Sequence, residues 1–173
     1  RIINAKFGND LCNHYTYVIN GDGCLMEGIS QEAAELAGHL KLNKLIVLWD
    51  NNNITIDGTV DKASSTKQLL RFEAMGWNTL EIDGHNYQEI ETAILKAQKS
   101  DKPTLISCKT TIGFGSPNKC GTSKCHGSPL GADETSAMRK ALNWEYAPFE
   151  VPADVLKNWN EAGLKSVSEY ENW

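Results

Sequence analysis

Short apolar runs of strand length alternate along this chain with stretches of helical period, and that alternation leaves few folds open. Leu45 to Trp49 is apolar at every position, as a strand covered on both faces must be. It stops at Asp50-Asn51-Asn52-Asn53, four side chains that hydrogen-bond their own backbone and so break a strand. Tyr15 to Asn20, Asn78 to Ile82 and Thr104 to Lys109 read as further strands. A helix is expected over Ile29 to Leu42, with Ile29, Ala33, Ala37 and Leu40 facing inward and Asn43 as the left-handed residue that ends it. Ser65 to Met75 and Tyr87 to Lys99 are predicted helices too, the latter with Ile90, Ala93, Ile94 and Ala97 on one face. Ala132 to Asn143 recovers helical period, and Pro152 to Ala162 is a short helix opened by proline. Strands and helices in alternation are βαβ units, so the fold class is α/β, a parallel sheet with helices on both faces.

With 173 residues the chain is sized for one ordinary domain, 1–173. Its 40% hydrophobic and 23% charged content excludes disordered and collagenous classes. A net charge of −5 with the signs interspersed lacks the basic field of a nucleic-acid binder. No run approaches the roughly twenty apolar residues of a membrane helix, and the start is unlike a signal peptide, so a cytoplasmic protein is expected. Cys12, Cys24, Cys108, Cys120 and Cys125 are an odd set in a chain too large to need stapling, which suits reduced thiols. The chain opens on Arg1 and not on Met, and we expect a domain truncated on its N-terminal side.

Chemistry concentrates at the ends of the predicted strands. Gly21-Asp22-Gly23 follows one strand and precedes a helix, where open parallel sheets gather their ligands and a helix N-terminus favours anions. The spacing fits neither G-x-G-x-x-G nor a P-loop. Asn52 lies just past the next strand, so neighbouring strands would bring Asp22 and Asn52 to one edge. A carboxylate, an amide oxygen and a nearby carbonyl are hard ligands that suit magnesium, and a single carboxylate leaves charge for a diphosphate to supply. Taken alone, Asp22 also reads as a helix cap and Asn52 as a turn residue. Thr110 to Gly131, with five glycines and two prolines, is a long aperiodic segment of the kind that carries function. Within it Cys120, Cys125 and His126 resemble half of a metal cluster, but no second pair has matching spacing.

Residues 21–58, GDGCLMEGISQEAAELAGHLKLNKLIVLWDNNNITIDG, closely resemble the thiamine diphosphate motif of transketolases. Residues 109–134, KTTIGFGSPNKCGTSKCHGSPLGADE, resemble the transketolase loop that closes over the cofactor. Deoxyxylulose-phosphate synthase and dehydrogenase E1 components share GDG and the asparagine but not MEGIS, GSPNK or HGSPLG. The resemblance implies a thiamine diphosphate-binding fold in which Asp22, Asn52 and the main-chain oxygen of Ile54 hold magnesium, with calcium able to substitute. It implies that Gly23 and Asn52 contact the diphosphate, that Ile56 and Ile112 make apolar contacts to the cofactor, and that Glu27 joins a carboxylate network across a homodimer interface. His126 is the candidate catalytic residue, touching diphosphate and facing a sugar-phosphate substrate. Each has a plainer reading: Ile56 and Ile112 as core, Glu27 as an acid at a helix start, His126 as a loop residue. His14, His39 and His85 read as surface or capping residues. Ser123 stands where many transketolases carry a second histidine.

The implied function is ketol transfer from a ketose phosphate to an aldose phosphate, in the pentose phosphate pathway. The alternatives are a non-catalytic cofactor-binding subunit of a split thiamine diphosphate enzyme, or a dihydroxyacetone synthase-like enzyme. In the family the aminopyrimidine of the cofactor meets a glutamate from a pyrimidine-binding domain of a partner subunit, and nothing here matches that domain. The chain alone is therefore expected to be inactive.

Overall fold

The computed structural model describes residues 1–173. Its strands are β1 (Thr16–Gly21), β2 (Leu45–Asn51), the two-residue strands β3 (Ile54–Thr55) and β4 (Gly58–Thr59), β5 (Asn78–Asp83) and β6 (Thr104–Lys109). Its helices are α1 (Ile2–Phe7), α2 (Gly28–His39), α3 (Gln68–Ala74), α4 (Tyr87–Ala97), α5 (Ala132–Ala141), α6 (Ala153–Leu164) and α7 (Val167–Asn172). Four strands form one wholly parallel sheet in the order β1-β2-β6-β5, and β3 and β4 form a small hairpin beside it. Gly21 lies beside Asp50 and Asp50 beside Cys108, so β1, β2 and β6 finish level at their carboxyl ends.

Strand alternation divides the core into two layers. Val47, Trp49 and Leu105 pack beneath α2 and α3 with Leu25, Ala34, Ala37, Phe72 and Trp77. Ile46, Ile106 and Cys108 pack against Ala93 and Ala97 of α4 on the opposite face. Helices thus cover both faces, as the strand pattern predicts. Ile46, Leu105 and Ile106 expose nothing, and truncating any of them to Ala should cost about 2–5 kcal/mol. Asn86 is the N-cap of α4: its side chain accepts from the Gln88 and Glu89 amides at 3.1 and 3.2 Å and donates to Glu89 Oε1 at 3.0 Å.

Helix α2 departs from expectation in its buried face. Ala34, Ala37 and Gly38 point inward, while Ile29 is 71% exposed and Ala33 and Leu40 also face out. The reason is a close crossing. A Cβ on Gly38 would collide with the Met75 carbonyl oxygen and sit 3.2 Å from Trp77 Cδ1, and Trp77 Nε1 donates to the Ala34 carbonyl at 2.8 Å. Only the smallest residues fit there, so packing overrides the larger apolar stripe. The helix also ends earlier, and its left-handed residue is Lys41 (φ 47°), not Asn43. The Lys41 and Leu42 amides bond back to the Gly38 and Ala37 carbonyls at 3.0 and 3.1 Å, the Schellman closure that requires that conformation at Lys41. The remaining predicted elements are present within a few residues of their expected ends; α1, α7 and the β3–β4 hairpin are additions.

Candidate functional site

Asp22 lies between β1 and α2 and is only 7% exposed. Trp49 Nε1 donates to its Oδ1 at 3.1 Å and the Asn53 amide donates to its Oδ2 at 3.0 Å. No cation touches it, since the two ion pairs of the molecule, Lys109–Glu81 and Lys157–Glu161, lie elsewhere. Burial pushes the Asp22 carboxyl above the usual carboxylate range against the pull of the Trp49 and Asn53 hydrogen bonds, and the nearby Asp50 charge pushes the same way. Its side chain caps no helix: it makes no capping bond to the turn it precedes. Here the helix-cap reading fails and a buried carboxylate with unmet charge remains.

The end of β2 is folded around Asp22. Asn53 takes the left-handed conformation (φ 60°) that Asn tolerates better than most residues, which turns its amide onto the carboxylate. Asn52 Oδ1 accepts the Ile54 amide at 2.9 Å and its Nδ2 donates to Asp50 Oδ2 at 3.1 Å. The turn reading of Asn52 is therefore real, and a second lone pair on Oδ1 stays free for another partner. Ile54 is buried at the start of the hairpin, whereas Ile56 at its tip is 73% exposed. Ile56 is not core. Gly23 has nothing within 4 Å of where a Cβ would be, which leaves its backbone open to a ligand. Glu27 precedes α2, is exposed and caps no amide, so its carboxylate is free as well.

The segment after β6 is tied to the Asn52 turn through Asp50. Thr110 continues from β6, its amide donating to the Asn51 carbonyl at 3.3 Å and its hydroxyl to Asp50 Oδ1. Ile112 is half-buried, and so is His126, which follows a single 3₁₀ turn at Ser123–Cys125; the ring nitrogens of His126 have no protein hydrogen bond. One functional anchor escaped the sequence reading. Glu134, in the first turn of α5, accepts the Ser116 hydroxyl, the Asn118 amide at 2.7 Å and Asn118 Nδ2 at 2.9 Å. These bonds, Ser116 first, hold its carboxyl down to about 2. Lys119 Nζ donates to the Leu130 carbonyl at 2.7 Å and closes the loop on itself. In the sequence Glu134 looks like one more acid at a helix start; only the preceding Ser116 and Asn118, donors without an acceptor, hint at its role.

A cleft of about 350 Å³ opens among Asp22, Met26, Trp49, Asn51, Asn53 and Lys67. A larger one of about 410 Å³ lies at the amino ends of β1 and β2, beside His14 and Lys44, and contains none of the expected site residues. The first borders the candidate site, at the carboxyl ends where ligands of parallel sheets bind; Asp22 lines it, whereas Gly23, Asn52, Ile54, Ile56, Ile112 and His126 do not. The donor set around Asp22 fits a divalent cation: a buried carboxylate without a salt-bridge partner, the Asn52 amide oxygen with a free lone pair, and the open Gly23 backbone for an anion that shares the metal.

Fold and site together define a parallel α/β domain built to hold an anionic cofactor at the carboxyl edge of its sheet. Residues 2–173 match the family model described as transketolase, thiamine diphosphate binding domain, and the chain belongs to that family. It is 49% identical over 173 residues to a transketolase from Cereibacter sphaeroides, covering 100% of this chain and 26% of that protein. The structure of a transketolase from Leishmania mexicana superposes with a TM-score of 0.87 at 39% identity, covering 93% of this chain and 24% of the other. A Pichia stipitis transketolase in complex with sedoheptulose-7-phosphate gives a TM-score of 0.83 at 42% identity, with coverages of 91% and 24%. The chain spans about a quarter of the length of these relatives. No helix is long and apolar enough to cross a membrane.

Proposed function

We propose that this chain holds the magnesium and diphosphate end of thiamine diphosphate in a transketolase, which moves a two-carbon ketol unit from a ketose phosphate to an aldose phosphate. The observation that carries the reading is Asp22, buried at the carboxyl edge with both oxygens singly bonded and no cation beside it. Asp22, Asn52 and the Ile54 carbonyl would hold magnesium, or calcium in its place, and Gly23 and Asn52 would meet the diphosphate. Ile56 and Ile112, apolar and accessible, would cover the ring system of the cofactor and exclude water from it. When bound, the thiazolium supplies the electron sink for ketol transfer. His126, half-buried with both ring nitrogens unclaimed, is free to contact the diphosphate and exchange protons with a substrate hydroxyl.

Sugar phosphates are the proposed substrates, by likeness to the Pichia stipitis enzyme, and the pentose phosphate pathway in the cytoplasm is the proposed setting. The exposed stripe of Ile29, Leu36 and Leu40 on α2 supports a homodimer, with Glu27 at its edge. A pyrimidine-binding domain must be supplied from outside these residues, so the chain alone should be inactive. Calorimetry tests the reading: thiamine diphosphate and magnesium should each bind measurably only in the presence of the other, and Asp22→Ala should abolish that dependence. Binding that is indifferent to magnesium overturns it, as does ketol transfer by this chain alone for the claim of inactivity.

A further inference from the structure

The amide of Thr111, the residue before Ile112, is the first backbone donor of the 110–131 segment to leave the sheet. The preceding steps are conventional: Gly84 donates to the Lys109 carbonyl at 2.7 Å and Thr110 to the Asn51 carbonyl at 3.3 Å. At Thr111 no strand is left to accept. The acceptor is a side chain, His85 Nε2, at 2.9 Å. The same ring stacks on Phe114, with centroids 4.1 Å apart and planes 22° from parallel. One imidazole thus grips the segment on both sides of Ile112 and Gly113.

The turn that carries His85 is itself fixed. Asp83 Oδ1 accepts the His85 amide at 2.9 Å, and Glu89 Oε2 accepts the Asp83 amide at 2.9 Å. Gly84 lies so close to the end of β6 that a Cβ there would meet Thr110 Cγ2 at 2.5 Å and the Lys109 carbonyl oxygen at 3.0 Å. An acceptor at Nε2 also sets the tautomer, with the ring proton on Nδ1. His85 is exposed and belongs to neither apolar cluster of the core.

We propose that His85 is a positioning residue for the cofactor: by accepting the Thr111 amide it fixes the placement of Ile112 over the bound thiamine diphosphate. The inference rests on the function proposed above. Its test compares His85→Phe, which keeps a ring against Phe114 but has no acceptor, with His85→Gln, which restores an acceptor without the stack. Both are made in the full-length protein and read by calorimetry with thiamine diphosphate plus magnesium, and by hydrogen exchange of the Thr111 amide without ligand. His85→Phe should weaken binding about tenfold, the loss of one net hydrogen bond, and speed exchange of Thr111, while His85→Gln stays within about threefold of wild type on both readouts. Unchanged exchange and affinity in His85→Phe, or equal weakening in both variants, overturns the proposal. Failure of the wild-type protein to bind the cofactor at all overturns the functional reading, and the role of His85 in affinity with it. Exchange of Thr111 unaltered in His85→Phe, with wild-type binding intact, sinks the His85 role alone.

Discussion

Asp22 and Glu134 are both buried carboxylates in this domain, and their surroundings push them in opposite directions. Glu134 has three donors aimed at its two oxygens, and its carboxyl is held down to about 2. Asp22 has one donor per oxygen and the Asp50 charge nearby, and burial raises its carboxyl above 3.8. At Asp22 burial outweighs the hydrogen bonds and at Glu134 the hydrogen bonds outweigh burial, and that balance decides the sign. A carboxylate that the fold has satisfied is a fastening for the loop. One that the fold has desolvated and left short of positive charge favours a cation, at the cost of some stability without it.

That contrast makes predictions that can break it. The largest effect should be on ligand binding: Asp22→Asn should weaken magnesium-dependent binding of thiamine diphosphate by more than about a hundredfold, beyond the loss typical of an outer-shell partner. Glu134→Gln should leave that site's ligands in place and weaken binding far less. Next comes stability without ligand. The same exchange of carboxylate for amide should lower Tm by about 3–6 °C at Glu134, where donors lose an acceptor, and by less than about 1 °C at Asp22, where a desolvated charge is removed. Thermal scans at neutral pH decide the pair, and equal losses would erase the distinction.

Acid should separate them again. The folded pKa of Glu134 is depressed, so its contribution is complete above about 4.5 and is lost as the pH falls toward about 2. For Asp22 the folded pKa is raised, so its contribution is complete below 3.8 and is lost as the pH rises through the higher folded value. Unfolding curves between pH 2 and 6 should lose the first trend in Glu134→Gln and the second in Asp22→Asn. The smallest effect is expected at Ile56. With 73% of the residue exposed, Ile56→Ala should change stability by less than about 0.5 kcal/mol yet weaken cofactor binding several-fold. A stability loss as large as that of a core truncation would return Ile56 to the plainer reading.

Much of the scaffold is legible in the sequence because strand and turn signals are local. Leu45–Trp49 and the asparagine run after it declare a buried strand and its end, and the parallel neighbour brings Asp22 to that end without further assumption. The face of α2 is not legible, because it depends on how near Met75 and Trp77 approach, and hydrophobic period favours Ile29 and Leu40 over the alanines that fit. The hairpin at Ile54–Thr59 has strands of two residues, too short for alternation to register. Glu134, His85 and Trp49 act through partners 18, 26 and 27 residues away, and no local pattern marks such pairs.

Gly38 never touches the site, yet the site depends on it. Helix α2 begins at Gly28, one 3₁₀ turn after Asp22, and ten residues on, about 15 Å along its axis, Gly38 sets how deeply the helix lies on the sheet. Any side chain at that position would lift the far end and swing the near one away from the Asn53 turn. In a complete substitution scan for cofactor binding, Gly38 should therefore rank with the ligands themselves, intolerant even of alanine, while the bulky Ile29 on the same helix accepts most replacements in the single chain.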